Sequence, residues 1–141
     1  ICYKVTVREI KMHEAINILI IDDARGMRMA LAGILEYSGY HVVMAEDGYQ
    51  GIEAAKKTDF KVAFIDVKMP GIDGFETHKE LKKINTHTNV IMMTGLDVEY
   101  YLDKAISQGA FTCISKPFDG AELLKLVVRA IGKQERESEQ S

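Results

Sequence analysis

The sequence has few cysteines, no excess of positive charge and no long apolar run, and each absence excludes a class of protein. Its 141 residues have a formal net charge of −3 and contain only two cysteines. Cys2 and Cys113 are far apart and lack metal-ligand spacing, which predicts a reducing compartment and no disulfide framework. Because no basic stripe is present, we expect no direct binding to nucleic acid.

We expect neither a membrane-spanning segment nor a signal peptide within these residues. No apolar run approaches the roughly 20 residues that cross a bilayer, and residues 1–11 lack the apolar stretch of a signal peptide. We therefore expect no membrane association and a cytoplasmic location. The hydrophobic fraction of 47% is enough for one core. We expect a domain at 15–132, preceded by an extension or neighbouring-domain remnant at 1–14 and followed by a tail or linker start at 133–141.

What the sequence does contain is a strict alternation of short apolar runs and amphipathic helical patterns. The five runs, in chain order, are residues 18–21, 42–45, 62–65, 90–93 and 111–114. Because their polarity does not alternate, they predict strands buried on both faces, as in a parallel sheet covered by helices. Five strands alternating with five helices, joined by right-handed crossovers, predict a three-layer α/β sandwich.

Candidate functional residues follow the first, third, fourth and fifth runs. In chain order they are Asp22-Asp23, Asp66, Thr94-Gly95 and Lys116-Pro117. Ligands of open parallel sheets bind beyond the carboxyl ends of the strands, so we expect these side chains to converge. Each one alone is most simply a polar residue that closes a strand, but the joint arrangement is typical of a functional site.

The three carboxylates suggest phosphoryl chemistry beside a metal ion. Carboxylates close together repel one another and need a cation, and oxygen ligands select a hard ion such as Mg²⁺. A carboxylate can attack phosphorus to give an aspartyl phosphate, while a lysine and a metal neutralise the transferring group. Asp66 is the best nucleophile candidate, since it ends a central strand with acidic partners nearby.

Four motifs resemble those of the response-regulator receiver domain of two-component signalling, over about residues 16–132. They are ILIIDD at 18–23, IDVKMPGIDG at 65–74, MTG at 93–95 and SKPF at 115–118. The resemblance implies a flavodoxin-like sandwich with a five-stranded parallel sheet in the order 2-1-3-4-5. It also implies a signalling protein whose only catalysis is its own phosphorylation and dephosphorylation.

The resemblance assigns roles to the acidic residues. Asp66 would accept a phosphoryl group from a sensor histidine kinase or a phosphotransfer protein. Mg²⁺ would be bound by Asp22, Asp23, Asp66 and the backbone carbonyl of Lys68, with Asp23 the more direct ligand of the acidic pair. A downstream target or output domain would then respond at the fourth helix, fifth strand and fifth helix, and a homodimer is a further expectation.

The resemblance also defines a switch region, in which this chain departs from the family. Thr94, beside Gly95, would contact the phosphoryl group and shift on activation, Lys116 would pair with its oxygens, and the bond to Pro117 would be cis. The family usually carries Tyr or Phe where this chain has Cys113. We interpret Cys113 as a small core residue rather than a redox sensor. The departure puts the aromatic part of the switch in doubt and leaves residues 94–105 as the alternative reporter.

Three competing hypotheses remain open. A pseudo-receiver would keep the fold as an interaction module without phosphorylation. A Mg²⁺-dependent phosphatase would use Asp66 on an external substrate, although such enzymes often carry a second acid where this chain has Lys68. A flavodoxin-like nucleotide-binding protein is disfavoured, because no glycine-rich loop follows the first run.

The four histidines predict no additional site. They are scattered along the chain, at His13, His41, His78 and His87. Their spacing does not form a metal-binding set, and we interpret all four as surface or packing residues rather than phosphodonors.

Overall fold

A computed structural model of the protein describes residues 16–140, and the side chains of residues 16–133. The strands are β1 (Asn17–Ile21), β2 (His41–Ala45), β3 (Val62–Asp66), β4 (Asn89–Thr94) and β5 (Thr112–Ser115). The helices are α1 (Arg25–Tyr37), α2 (Gly48–Lys57), α3 (Gly74–Ile84), α4 (Val98–Ser107) and α5 (Gly120–Gln140). The predicted extension at 1–14, with Cys2 and His13, lies outside the described residues.

The strands form one parallel sheet in the order β2-β1-β3-β4-β5. This order and the alternating helices confirm the predicted flavodoxin-like sandwich. Ile21 lies opposite Ile65 in the β1–β3 register, and Thr94 lies opposite Ser115 in the β4–β5 register. The residues that follow these strands therefore leave the sheet along one edge, its carboxyl edge.

Two apolar layers cover the sheet, because successive side chains of a strand point to opposite faces. Ile18 and Ile20 pack in the layer beneath α1 and α5, whereas Leu19 and Ile21 pack in the layer beneath α2, α3 and α4. The central strands β3 and β4 are buried throughout. The prediction of burial on both faces is wrong for the edge strands: in β2, Met44 is 41% exposed, since an edge strand is only partly covered by helices.

Aspartate caps fix the start of three helices beyond the carboxyl edge. The side chains of Asp47, Asp73 and Asp97 accept hydrogen bonds from backbone amides in the first turns of α2, α3 and α4. The spacing of Asp47 and Asp73 to the following Gln or Glu predicts two of these caps. The caps end the loops at defined residues and so limit where the polar side chains of those loops can lie.

Helix α3 buries a histidine in the core. His78 is 1% exposed, and neither of its ring nitrogens has a hydrogen-bond partner within residues 16–133. Burial, assisted by the positive charge of Lys82, lowers the pKa of His78 from 6.5 to about 4. His78 is therefore a packing residue held in its neutral form, whereas His41 and His87 lie at the surface.

The last helix continues past the predicted end of the domain. The backbone of α5 remains helical to Gln140, so residues 133–140 extend the helix rather than turn away from it. Among the helices described, none combines the length and the apolar character needed to cross a membrane.

Candidate functional site

Three carboxylates meet at the carboxyl edge of the sheet. One oxygen from each of Asp22, Asp23 and Asp66 lies within 4.8 Å of the others. Asp22 is fully buried and Asp66 is 8% exposed, whereas Asp23 is open to solvent. Three negative charges this close are unfavourable without a cation, and their oxygen ligands suit a hard divalent ion. The cluster can therefore hold a metal ion that is reached from the side of Asp23.

A lysine from the loop after β5 joins the cluster. The ammonium of Lys116 donates a 2.6 Å hydrogen bond to Oδ2 of Asp22 and lies 3.3 Å from Oδ1 of Asp66. The Lys116–Pro117 peptide bond that precedes α5 is cis. One ammonium beside three carboxylates leaves the cluster with excess negative charge, so a second cation is still favourable.

The pKa of Asp66 reflects this environment. Burial, followed by the negative charge of Asp22, raises the pKa of Asp66 from 3.8 to about 6, even though Lys116 opposes the increase. The carboxylate form therefore predominates at neutral pH even without a metal ion. An ionised and partly accessible carboxylate at the end of a buried strand has the properties that a nucleophile toward phosphorus requires.

The residues around Asp66 hold its backbone closely. The amide of Val67 donates a 2.8 Å hydrogen bond to the carbonyl of Met93, and the amide of Gly74 donates a 2.9 Å bond to the carbonyl of Val67. A Cβ at Gly74 would collide with the backbone carbonyl of Asp66. Glycine is thus needed where α3 begins, because the helix starts against the backbone of the candidate nucleophile.

Thr94 ends β4 next to the cluster and is buried. Its hydroxyl oxygen accepts a 3.0 Å hydrogen bond from the amide of Leu96, so the loop after β4 is tied to this hydroxyl. Gly95 and Leu96 are exposed, and so is the side chain of Lys68 beyond Asp66. The exposed residues that follow β3 and β4 therefore lie on the solvent side of the carboxyl edge.

Cys113 lies at the centre of β5 and faces α4. The free thiol is buried, and burial raises its pKa from 9.0 to about 11. This environment is that of a packing residue, because a reactive thiol needs a lowered pKa. Cys113 also lines a groove of ≈ 520 Å³ between α4 and α5, together with Val98, Leu102, Phe118 and Leu123.

Aromatic contacts connect α4 to α3. The ring of Tyr101 stacks on that of Phe75 at 6.0 Å between centroids, and the ammonium of Lys104 lies 4.2 Å above the Phe75 ring. Tyr100 makes an edge contact with Tyr101 and is exposed. Since Phe75 follows Gly74, α4 packs directly on α3, the helix whose first residue lies against the backbone of Asp66.

The sequence interpretation missed Arg28. This residue lies three positions before Leu31 and seven before Leu35, on the apolar face of α1, and is 9% exposed. Its guanidinium donates a 2.7 Å hydrogen bond from Nη1 to the backbone carbonyl of Asp22. A cation on an apolar helical stripe is the signal that could have identified it, since buried charges need partners.

Comparison with known proteins identifies the family. The family model described as response regulator receiver domain matches residues 18–128. The chain belongs to this family. A receiver domain accounts for the convergence of the acidic residues with Lys116 and Thr94, and it supports a phosphoacceptor role in general. The family match favours this role over the phosphatase and nucleotide-binding hypotheses.

Individual relatives of this receiver differ in how much of their length it covers. It is 35% identical over 116 residues to the chemotaxis protein CheY of Bacillus subtilis, covering 82% of this chain and 97% of CheY. It is 32% identical over 115 residues to the transcriptional regulatory protein YkoG of the same organism, covering 82% of this chain and 50% of YkoG. A solved CheX–CheY–BeF₃–Mg²⁺ complex from Borrelia burgdorferi matches with a TM-score of 0.76 and 27% identity, covering 81% of this chain and 87% of the other.

Proposed function

We propose that this receiver accepts a phosphoryl group on Asp66 from a sensor histidine kinase or phosphotransfer protein, with Mg²⁺ beside it. The observation that carries the proposal is the joint position of Asp66 near the ammonium of Lys116, at 3.3 Å, and within the cluster formed with Asp22 and Asp23. A nucleophile, a fixed cation and a metal-binding cluster are the parts that phosphoryl transfer to a carboxylate requires.

The acidic cluster fits Mg²⁺ by its chemistry. Asp22, Asp23 and Asp66 offer only oxygen ligands, without Cys or His among them, and Mg²⁺ binds through a few carboxylates while keeping water. The backbone carbonyl of Lys68 completes the proposed ligand set. Mg²⁺ would supply charge neutralisation for the transferring phosphoryl oxygens. The solved CheY complex that contains BeF₃ and Mg²⁺ supports this ligand in a relative.

The chain's own residues then have distinct parts in the transfer. A carboxylate oxygen of Asp66 attacks phosphorus, and a new P–O bond forms. The P–N bond of the donor phosphohistidine breaks at the same time, and its electron pair leaves on the imidazole nitrogen. Lys116 stabilises negative charge on the phosphoryl oxygens. Because Asp66 is 8% exposed, the donor has to approach from the solvent side of the carboxyl edge.

Thr94 and α4 would report phosphorylation. A phosphoryl oxygen on Asp66 would accept a hydrogen bond from the Thr94 hydroxyl and draw it toward the phosphoryl group. The hydroxyl oxygen now accepts a hydrogen bond from the amide of Leu96, and this movement would lengthen or break that bond. Loss of that bond would release the loop that leads to Asp97, the cap of α4. With Cys113 in place of an aromatic residue, the response would pass through residues 94–105, of which Tyr101 already contacts α3.

The partner face would be the groove between α4, β5 and α5. Its lining is mainly apolar, and Asp119, Glu122 and Arg129 lie among the lining residues. A downstream target, an output domain or a second copy of the chain could bind there. The predicted domain bounds of 15–132 and a cytoplasmic location also belong to this proposal.

Phosphorylation by acetyl phosphate with Mg²⁺ tests the proposal. We expect the intact mass to increase by one phosphoryl group in the parent and not in Asp66→Asn, which keeps the size of the side chain. No gain, or an equal gain in the variant, would contradict the role of Asp66. The pseudo-receiver hypothesis would then be favoured if a separate titration also detects no Mg²⁺ binding.

A further inference from the structure

Arg28 has no part in the transfer described above, yet it is one of the few charged side chains buried among residues 16–133. We propose that Arg28 is a positioning residue for the metal site. Its guanidinium holds the backbone carbonyl of Asp22 and thereby fixes the direction of the Asp22 and Asp23 carboxylates. This inference rests on the proposed binding of Mg²⁺.

The contacts of Asp22 show how little freedom this residue has. Its amide donates to the carbonyl of Ala45 at 3.2 Å, and its Oδ1 accepts from the amide of Ala24 at 2.9 Å. Its Oδ2 accepts from Lys116 at 2.6 Å, and its backbone carbonyl accepts from Arg28 at 2.7 Å. Only the last two partners are side chains, so only these two can be removed without changing the backbone.

The second terminal nitrogen of the Arg28 guanidinium lies near the loop that follows β2. Nη2 lies 3.9 Å from Oε1 of Glu46, and Glu46 follows Ala45, whose carbonyl accepts the amide of Asp22. Arg28 thus connects the β1–α1 loop to the end of β2. The side chain of Glu46 is 67% exposed, and exposed ion pairs contribute little. The buried bond to Asp22 is therefore the important contact.

A cation at this position has a cost that an apolar residue would not have. Leu31 and Leu35 lie on the same apolar face of α1 as Arg28, so a methionine at position 28 would pack against the core. Burial of a guanidinium is unfavourable unless its hydrogen bonds compensate, and a charge-assisted bond to a carbonyl is a strong one. Removing a group that orients metal ligands typically changes metal affinity about 10–100-fold. A positioning role for Arg28 can therefore be measured as a change in Mg²⁺ affinity.

The test is the Mg²⁺ dissociation constant of the full chain, measured by titrating backbone amide NMR signals rather than activity. We expect Arg28→Met to raise this constant about tenfold. Arg28→Lys, which keeps a charged donor, should recover part of that loss. Glu46→Gln removes only the exposed ion pair and serves as the matched control, with an expected change of less than about twofold. Arg28→Gln replaces Arg28→Met if the latter does not fold.

Urea midpoints measured on the same samples separate positioning from packing. A lower midpoint for Arg28→Met with an unchanged dissociation constant would overturn the proposal, because Arg28 would then support the fold alone. Failure of all three Arg28 variants to fold, lysine included, would overturn it for the same reason. A parent that binds no Mg²⁺ would contradict both this inference and the proposed function, whereas a parent that binds as well as its Arg28 variants would contradict this inference only.

Discussion

Asp66 at the carboxyl edge and His78 on α3 are both titratable groups removed from water, with 8% and 1% exposure. Burial favours the neutral form of each group. The pKa of Asp66 is raised to about 6, and the pKa of His78 is lowered to about 4. The difference lies in their partners. Asp66 has Lys116 at 3.3 Å, whereas the ring nitrogens of His78 have no hydrogen-bond partner within the residues whose side chains are described.

The difference shows how one small domain separates chemistry from packing. At the edge, a fixed ammonium keeps the charged form of Asp66 available at neutral pH despite its burial. On α3, the charged form of His78 is excluded, so this residue acts as a core side chain with an unmet hydrogen-bonding capacity. Both groups reduce stability, but in opposite pH ranges, and this makes the comparison testable by substitution.

Replacing His78 by Leu should give the largest effect. The folded pKa of about 4 lies below the unfolded value of 6.5, so the destabilisation caused by His78 is smallest above pH 6.5 and increases as pH falls toward 4. His78→Leu removes this destabilisation and an unpartnered polar group. We expect a gain of about 1 kcal/mol at neutral pH that increases to roughly 3 kcal/mol near pH 5. Urea unfolding at both pH values measures it.

His41→Leu is the matched control for that substitution, because His41 is exposed on β2. Its stability difference from the parent should not follow the pH dependence of His78→Leu. A destabilised His78→Leu variant, or a gain that does not increase at lower pH, would mean that His78 has a partner in solution.

Replacing Asp66 by Asn should give the next largest effect, measured without Mg²⁺. Because the folded pKa of about 6 lies above the unfolded value of 3.8, the stability associated with the protonated form is present below 3.8 and is lost as pH rises through 6. Asp66→Asn avoids this loss. We expect the variant to be more stable by about 2 kcal/mol near pH 7.5, and by much less near pH 4.

The control for this substitution is Asp103→Asn on the exposed face of α4, for which no comparable gain is expected. Equal stability of Asp66→Asn and the parent near pH 7.5 would show that Lys116 fully offsets the burial of Asp66. The stability costs of burying Asp66 at the edge and His78 in the core would then differ more than their pKa values indicate.

Removing the ammonium of Lys116 should give a smaller effect, and this effect is on Mg²⁺ binding rather than on stability. Lys116 occupies Oδ2 of Asp22 at 2.6 Å and so competes with Mg²⁺ for that carboxylate. Lys116→Met should lower the Mg²⁺ dissociation constant about fivefold, equivalent to about 1 kcal/mol, in a calorimetric titration. Lys125→Met on the exposed part of α5 is the control. Weaker binding in Lys116→Met would mean that the lysine orders the carboxylates instead of competing for them.

Cys113 extends the comparison to a third buried group, with the smallest expected consequence. Its pKa of about 11 and its burial predict slow alkylation. In a Cys2→Ser background, iodoacetamide should modify the native protein at least about tenfold more slowly than the urea-unfolded chain. Equal rates would indicate that the groove between α4 and α5 opens in solution and exposes the thiol.

Much of the site could be predicted from the sequence, because Asp22, Asp66 and Thr94 directly follow apolar runs. Parallel strands end along one edge, so position in the chain was enough to bring these residues together. The sequence did not distinguish the contrasting environments of Arg28 and His78. A helical stripe reveals that a polar residue lies on the buried face, but whether a neighbouring loop supplies its partner depends on tertiary contacts.

The sequence did not predict the exposure of the edge strand β2, for a related reason. The residues of β2 form an apolar run like those of β3, but their burial depends on how far the helices on each side cover the sheet. Met44 shows that this cover is incomplete at the edge. Local composition thus predicts a strand and leaves its place in the sheet undetermined.

The central claim is that Asp66, among three neighbouring carboxylates, is the group that reacts. Borohydride reduces an aspartyl phosphate to homoserine, and peptide mass spectrometry then locates the modified residue. After incubation with acetyl phosphate and Mg²⁺, we predict homoserine at position 66 and none at Asp22 or Asp23, with no reduction when Mg²⁺ is withheld. Homoserine at either of the other positions, or at none, would contradict the account.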